Sequence, residues 1–275
     1  MDGGMAALKT RRWMWVVMML VFIGIQATGS VNAQTTETLM QWVESDAGSL
    51  ILRPFKNAPF PHKSRENGFQ GSEKFFPADI HYTDSTVGVL VPKGFKPGDT
   101  TDFVMYFHGH QNHVAQVFSQ FNLENEFEMS GLNAVLIVPQ GPKDAADSSG
   151  GRLEEEPGAF EALVKEVAEF LQNENRIPTA KIGNVALSAH SGGYRVVGAI
   201  LIHGDLADHI RDVLLFDATY GQLESYADWC ALDGGRRLIS IFTQHLADEN
   251  IELISLLQKR NVAFDVHMEN DLTTD

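Results

Sequence analysis

Short apolar runs alternate with helical segments along most of this chain, and this alternation constrains the fold more than any other feature. Segments with apolar residues at three- and four-residue spacing, clearest at 160–171 and 251–257, separate most of the runs. This order is typical of a mostly parallel sheet covered by helices on both faces. The sequence therefore predicts one α/β domain over residues 80–275. The runs with the length and composition of buried strands are 86–91, 103–107, 134–138, 185–187, 213–216, 238–242 and 262–266.

Residues 1–33 have the three parts of a secretory signal peptide. Lys9, Arg11 and Arg12 precede an apolar run at 13–25, and small residues follow up to Ala33. We expect cleavage after Ala33 and a secreted or periplasmic protein. The alternative is a retained membrane anchor, but the run is shorter than the ~20 residues that a spanning helix needs. We therefore expect no stable membrane insertion after cleavage.

The segment that follows, 34–79, is rich in proline and phenylalanine and shows no clear period. We expect it to form an irregular extension packed on the α/β domain.

Composition excludes some partners and some sources of stability. The formal net charge is −15, and loss of residues 1–33, with three basic residues and one acidic residue, would make it −17. Nucleic-acid binding needs the opposite sign, so no nucleic-acid partner is expected. The single cysteine, Cys230, cannot form an internal disulfide and lies in no recognisable motif. We expect it to be a buried structural thiol.

The segment 189–193 (AHSGG) joins the fourth apolar run to residues 196–202, which are apolar nearly all round, as in a helix buried on a sheet. Active groups of open parallel sheets collect beyond the carboxyl ends of the strands. A sharp strand-to-helix turn needs small residues two positions either side of its centre, and Ala189 and Gly193 meet that need. The turn would expose the Ser191 hydroxyl and aim helix N-terminal amides at an oxyanion. Ser191 is therefore the candidate nucleophile, and the alternative is a simple helix cap.

This segment resembles the nucleophile elbow of the α/β-hydrolase family, G-x-S-x-G, with Ala189 in place of the first glycine. The resemblance covers about residues 80–275. It implies an α/β-hydrolase fold and a cofactor-free serine hydrolase that cleaves an ester, or secondarily an amide, through an acyl-enzyme. A His-Gly pair after the second apolar run also matches the family. By that resemblance the amides of Gly109 or His110, together with Gly192, form the oxyanion hole.

The resemblance also implies an acid and a histidine beyond later strands. Asp217, directly after the fifth run, is the preferred acid, and Asp248 after the sixth run stays open as an alternative. His267 follows the last run and is the candidate base, with His245 as the fallback. Family members usually continue with a loop and a helix, so the C-terminal part of this chain looks short. Without a working histidine, the chain would be a non-catalytic binding protein on the same fold.

A different class of function is open at the second run. His108, His110 and His113 form H-x-H-x-x-H, which could hold a metal in a metal-dependent hydrolase. The spacing places no further ligand beside them, so we expect neither a metal nor a cofactor.

The polar loop at 141–158 bears on the substrate. It follows the third run and is expected to rim the pocket, and the sequence between Asp217 and Arg236 leaves little room for a lid. An open, polar-rimmed site suits a small-molecule or carbohydrate-linked ester better than a long acyl chain.

Overall fold

The computed structural model describes residues 40–232 and 235–267, so the predicted signal peptide lies outside the described residues. The strands are β1 (Val43–Glu44), β2 (Gly48–Pro54), β3 (Phe69–Gln70), β4 (Phe75–Phe76), β5 (Thr86–Pro92), β6 (Thr101–Phe107), β7 (Val135–Pro139), β8 (Ile182–His190), β9 (Ile210–Phe216) and β10 (Arg237–Ile241). The α-helices are α1 (Ala78–His81), α2 (Val114–Gln120), α3 (Leu123–Met129), α4 (Arg152–Glu155), α5 (Ala159–Asn173), α6 (Tyr194–His203), α7 (Leu223–Ala231) and α8 (Ala247–Lys259).

Eight of these strands form one sheet in the order β1-β2-β5-β7-β6-β8-β9-β10, and β3 pairs with β4 separately. The five adjacent strands β7, β6, β8, β9 and β10 are mutually parallel. β5 runs antiparallel to both of its neighbours, and β1 runs antiparallel to β2. The predicted fold class, an α/β protein with a mostly parallel sheet, is confirmed.

Helices pack on both faces of the sheet because successive strand residues point to opposite sides. On β5, Val87 and Val89 join the core under α5, α6, α7 and α8, whereas Leu90 joins the core under α2 and α3. The amphipathic segment predicted at 160–171 is α5, whose apolar positions are buried except Phe170, which is half-buried. Cys230 is half-buried against the first core, and burial raises the pKa of its thiol to about 11. No helix in the described ranges is long and apolar enough to cross a membrane.

The sheet begins earlier in the chain than the sequence predicted. The segment 34–79 was expected to be irregular, but it contributes β1 and β2, and β2 pairs with β5 along its whole length. Its buried residues Leu50, Ile51 and Leu52 form an apolar run of only three residues, ended by Arg53 and Pro54. Such a run carries too little periodicity to be recognised without its partner strand.

The last predicted strand, 262–266, is wrong: these residues are irregular in the structure. Val262 still packs against the core and donates its N–H to Leu257 O, but Phe264 and Val266 are exposed. A strand is stabilised by its ladder partner, and this segment makes no ladder. β10 therefore ends the sheet as described, and all of its residues are half-buried.

Candidate active site

The predicted strand–turn–helix around Ser191 is present. β8 ends at His190, a single 3₁₀ turn spans Ser191–Gly193, and α6 begins at Tyr194. Ser191 has φ +49°, in the left-handed region that non-glycine residues rarely adopt. Such strain persists only where the surroundings impose it, and it concentrates at functional sites. The turn is therefore a strained elbow rather than an ordinary helix cap.

The loop after β6 contacts this elbow directly. A Cβ on Gly109 would lie 2.9 Å from Ser191 Cβ, and a Cβ on Gly192 would lie 2.5 Å from His110 Cδ2. Parallel pairing of Phe107 with Ala189 across β6 and β8 brings the two loops to the same edge of the sheet. The residues that sequence analysis proposed for the nucleophile and the oxyanion hole are thus brought together.

The side chain of His110 takes part in the site in a way that sequence analysis missed, since only its backbone amide was considered. A hydrogen bond of 2.8 Å joins His110 Nε2 and Ser148 Oγ across the elbow. Burial lowers the pKa of His110, which favours the neutral imidazole. The bond links the loop after β6 to the polar loop at 141–158. No local signal connects these two residues, which are 38 positions apart.

Asp217 lies where β9 ends, in a left-handed backbone conformation with φ +43°. Its Oδ1 accepts hydrogen bonds from Thr243 N at 2.6 Å and from Thr243 Oγ1 at 3.1 Å. Thr243 Oγ1 is also bonded to His245 Nδ1 at 2.6 Å, and His245 Nε2 to the Tyr220 hydroxyl at 2.9 Å. Asp217 is therefore linked to His245 through Thr243, a residue that sequence analysis did not single out. The alternative acid, Asp248, is exposed in the first turn of α8.

The structure does not bring the predicted base to the elbow. His267 is exposed in the irregular segment after α8 and makes no hydrogen bond within the described residues. Ser191 Oγ likewise has no hydrogen-bond partner in residues 40–232 and 235–267. His190, next to the serine, has a largely buried ring whose Nδ1 has no partner among these residues. Burial lowers the pKa of His190, while the charge of Asp217 acts in the opposite direction.

The three histidines of the H-x-H-x-x-H segment turn to different partners. His108 Nδ1–H donates to Gly109 O at 2.8 Å, and His108 Nε2 accepts from Gly141 N at 3.0 Å. His113 Nδ1 lies 2.8 Å from Asp144 Oδ1, and His110 bonds to the loop serine. Within the described ranges no three His, Cys, Asp or Glu side chains are grouped to hold a metal. The metal-dependent alternative therefore lacks its ligand set there.

His108 instead makes the stability of the fold depend on pH. Burial lowers its pKa to about 4, against about 6.5 in an unfolded chain. The unfolded chain binds the proton first as pH falls. Above about pH 6.5 the neutral His108 therefore contributes roughly 3 kcal/mol to the free energy of unfolding, and this contribution is lost between about pH 6.5 and 4. We expect the free energy of unfolding, measured with urea across this pH range, to depend less on pH in His108→Gln than in the wild-type chain. His267→Gln, at an exposed position, is the matched control, and an unchanged pH slope in His108→Gln would contradict the assignment.

A buried ion pair holds the loop that faces the elbow. Asp147 Oδ2 accepts from Arg65 Nε at 2.6 Å and from the Tyr82 hydroxyl at 3.1 Å. Asp147 Oδ1 accepts from Arg65 Nη2 at 2.9 Å and from Ser149 N at 3.1 Å. The hydrogen bonds to the carboxylate raise the pKa of Arg65, which keeps its guanidinium charged. The pair joins residues 82 positions apart, and no sequence pattern pointed to it.

A small recess, with about 20 Å³ of enclosed space, lies beside the elbow. Gly192 and Gly193 bound it on one side, and the polar loop, from Gly141 to Gly150, contributes the facing wall. The expectation that this loop rims the pocket is met at these residues.

Comparison with known proteins gives structural likenesses only. No protein-family model matches the sequence, and no curated protein matches it significantly. A feruloyl esterase module from Clostridium thermocellum, in complex with sinapinate, is similar at 12% identity and a TM-score of 0.48, over 85% of this chain and 81% of that one. An S-formylglutathione hydrolase from Agrobacterium tumefaciens is similar at 11% identity and a TM-score of 0.45, over 78% of this chain and 85% of that one.

A third similar structure is the fluorophosphonate-binding serine hydrolase F of Staphylococcus aureus. It matches at 13% identity and a TM-score of 0.43, over 80% of this chain and 89% of that one. At these values the likenesses carry no inference about activity. The α/β-hydrolase fold of this chain rests instead on its own sheet order, on the antiparallel β5 and on the strained Ser191 turn between β8 and α6.

Proposed function

We propose that this chain is a secreted or periplasmic serine hydrolase that cleaves a small-molecule or carbohydrate-linked ester through an acyl-enzyme. The observation that carries the proposal is the strained conformation of Ser191, at a strand end, against Gly109 and at the start of α6. An ordinary helix cap does not need that strain, whereas an elbow that exposes a nucleophile does.

In this proposal Ser191 Oγ attacks the ester carbonyl carbon and loses its proton to an imidazole. The carbonyl oxygen becomes an oxyanion, which the amides of Gly192 and of Gly109 or His110 stabilise. The bond between the carbonyl carbon and the leaving alcohol then breaks as the imidazole gives the proton to the alcohol oxygen. Water hydrolyses the acyl-enzyme by the same proton transfers, which regenerates the serine. Asp217 is the proposed acid, and its strained position at the end of β9 supports it over Asp248.

The base is proposed to be His267, and its access to the serine depends on the exposed edge of β10. Addition of 262–266 to this edge as a further strand would bury Phe264 and Val266, which are exposed as described. It would also bring His267 to the carboxyl edge of the sheet, where Ser191 and Asp217 lie. His245 is the second candidate, because Thr243 already connects it to Asp217.

A second candidate function is a non-catalytic binding protein on the same fold. The observation that favours it is that Ser191 Oγ forms no hydrogen bond with an imidazole in the described residues. Without a proton acceptor the serine would be nearly inert.

Reaction with a fluorophosphonate, followed by intact-protein mass spectrometry and peptide mapping, separates the two candidates. We expect a single adduct on Ser191 of the folded wild-type chain, because the elbow exposes and activates this hydroxyl. His267→Gln is expected to slow labelling roughly 100-fold by removing the base. His245→Gln makes the same substitution at another exposed histidine and is expected to label at the wild-type rate.

Two other results would change the proposal. A well-folded wild-type chain that is not labelled would favour the binding protein. Slow labelling of His245→Gln with normal labelling of His267→Gln would assign the base to His245.

A further inference from the structure

The polar groups that line the recess beside the elbow already have hydrogen-bond partners, which limits what the recess can bind. Its polar groups are already engaged: both Asp147 oxygens accept hydrogen bonds from Arg65, Tyr82 and Ser149, and His108 Nε2 accepts from Gly141 N. A carboxylate satisfied by a bidentate guanidinium offers no free site to a cation. The recess therefore has no charged group left to recognise a charged ligand.

The rest of the lining combines glycines and apolar side chains with Ser148 and Ser149, whose hydroxyls are bonded to His110 Nε2 and Gly151 N. Phe107, Val196, Pro59, Pro139 and Pro142 all line the recess and are buried in the fold. Burial of a ligand methyl or methylene group against such walls is favourable by about 0.8 kcal/mol per CH₂. The recess thus suits a neutral, apolar group.

The position of the recess connects it to the reacting carbonyl. Gly192, whose amide is the proposed oxyanion donor, contributes to its wall, and so does Gly193. The His110–Ser148 hydrogen bond lies against Gly192, because a Cβ there would be 2.8 Å from His110 Nε2 and 3.0 Å from Ser148 Oγ. A carbonyl carbon bound at Ser191 would therefore have the recess next to one of its substituents.

Size limits the group that fits. Only about 20 Å³ of the recess is enclosed space, and the rest opens to solvent at its mouth. Its walls are also fixed. Gly150 packs so closely on Val196 that a Cβ on this glycine would lie 2.6 Å from Val196 Cγ2, and Arg65 anchors the same loop through Asp147. Extra methylene groups cannot be admitted without moving that loop.

We propose that this recess is the acyl subsite and that it restricts the substrate to esters of short, neutral acids. The inference rests on the proposed ester hydrolysis at Ser191. Val196, on the first turn of the elbow helix, is the specificity-determining residue, since it forms the wall that faces Gly150.

The test is kcat/KM for p-nitrophenyl acetate, butyrate and octanoate. We expect the wild-type chain to prefer acetate and butyrate over octanoate by at least about tenfold, in line with the 10–200-fold effect of poorly fitting methylene groups. Val196→Ala removes two methyl groups from the wall and is expected to raise the octanoate-to-butyrate ratio at least about fivefold. Val196→Ile adds a methyl group and is expected to lower the butyrate-to-acetate ratio. The matched control is Ile202→Ala on the exposed face of the same helix, expected to leave both ratios unchanged.

The possible failures are distinguishable. If Ser191→Ala abolishes hydrolysis but the wild-type chain hydrolyses the octanoate ester as well as the acetate ester, the short acyl subsite is wrong. The proposed ester hydrolysis at Ser191 would still be supported. Unchanged ratios in both Val196 variants, with a normal wild-type preference, place the acyl subsite elsewhere. A folded chain that hydrolyses none of the esters and is not labelled at Ser191 overturns the proposed function itself.

Discussion

Replacement of Ser191 by alanine is expected to lower kcat for ester hydrolysis by roughly 10⁴- to 10⁶-fold, the loss seen when a serine hydrolase loses its nucleophile. The physical reason is that no covalent intermediate can form, and only substrate binding and the oxyanion amides would remain. KM is expected to change little, because the hydroxyl contributes mainly to the reacting step. The measurement is steady-state hydrolysis of p-nitrophenyl butyrate, with circular dichroism to verify the fold.

Two comparisons make this result specific. Ser255→Ala, at a half-buried position on α8, makes the same substitution away from the site and is expected to retain full activity. Ser148→Ala tests the other hydroxyl at the elbow, which is bonded to a histidine. If Ser148→Ala is inactive and Ser191→Ala retains activity, the nucleophile is Ser148 and the assignment of Ser191 is wrong.

The second large effect is expected at the buried ion pair. Asp147→Asn is nearly isosteric, but it leaves the largely buried guanidinium of Arg65 without a counter-charge. Breaking a buried pair in this way costs roughly 3–5 kcal/mol of unfolding free energy, because the remaining charge has lost its compensation. The measurement is the urea midpoint and slope at pH 7.

The double variant Arg65→Met with Asp147→Asn distinguishes an uncompensated charge from damaged packing. Removing both charges is expected to restore most of the lost stability, since a buried pair and a neutral replacement of similar volume are often close in free energy. A double variant as unstable as Asp147→Asn would show that the loss of stability comes from altered packing rather than from the uncompensated charge. Lys93→Met with Asp46→Asn, at an exposed ion pair, is the control and is expected to change stability by less than about 1 kcal/mol.

Much of the fold could be predicted from the sequence because it depends on local patterns of apolar residues. Six of the seven apolar runs became strands, and the amphipathic period at 160–171 became α5. Each of these signals depends only on neighbouring residues, whose side chains alternate along a strand or repeat every 3.6 residues along a helix. The elbow was readable for the same reason: small residues and a buried helix around Ser191 describe a turn whose strain the backbone then displays.

The remaining features depend on pairing between distant parts of the chain. β2 has only three buried apolar residues and is a strand because β5 lies beside it, whereas 262–266 has the right alternation but no ladder partner in the structure. The links from Asp217 to Thr243, from His110 to Ser148 and from Arg65 to Asp147 join residues 26 to 82 positions apart. Hydrogen-bond partners at such separations leave no period in the sequence.

The sequence by itself determined the mostly parallel sheet and the turn that carries Ser191, because local sterics and apolar periodicity suffice for each. Only the tertiary structure decided which side chains meet at that turn, how closely the polar loop closes the recess and whether a histidine reaches the serine. Those outcomes depend on long-range packing and hydrogen bonding, which a one-dimensional pattern does not contain.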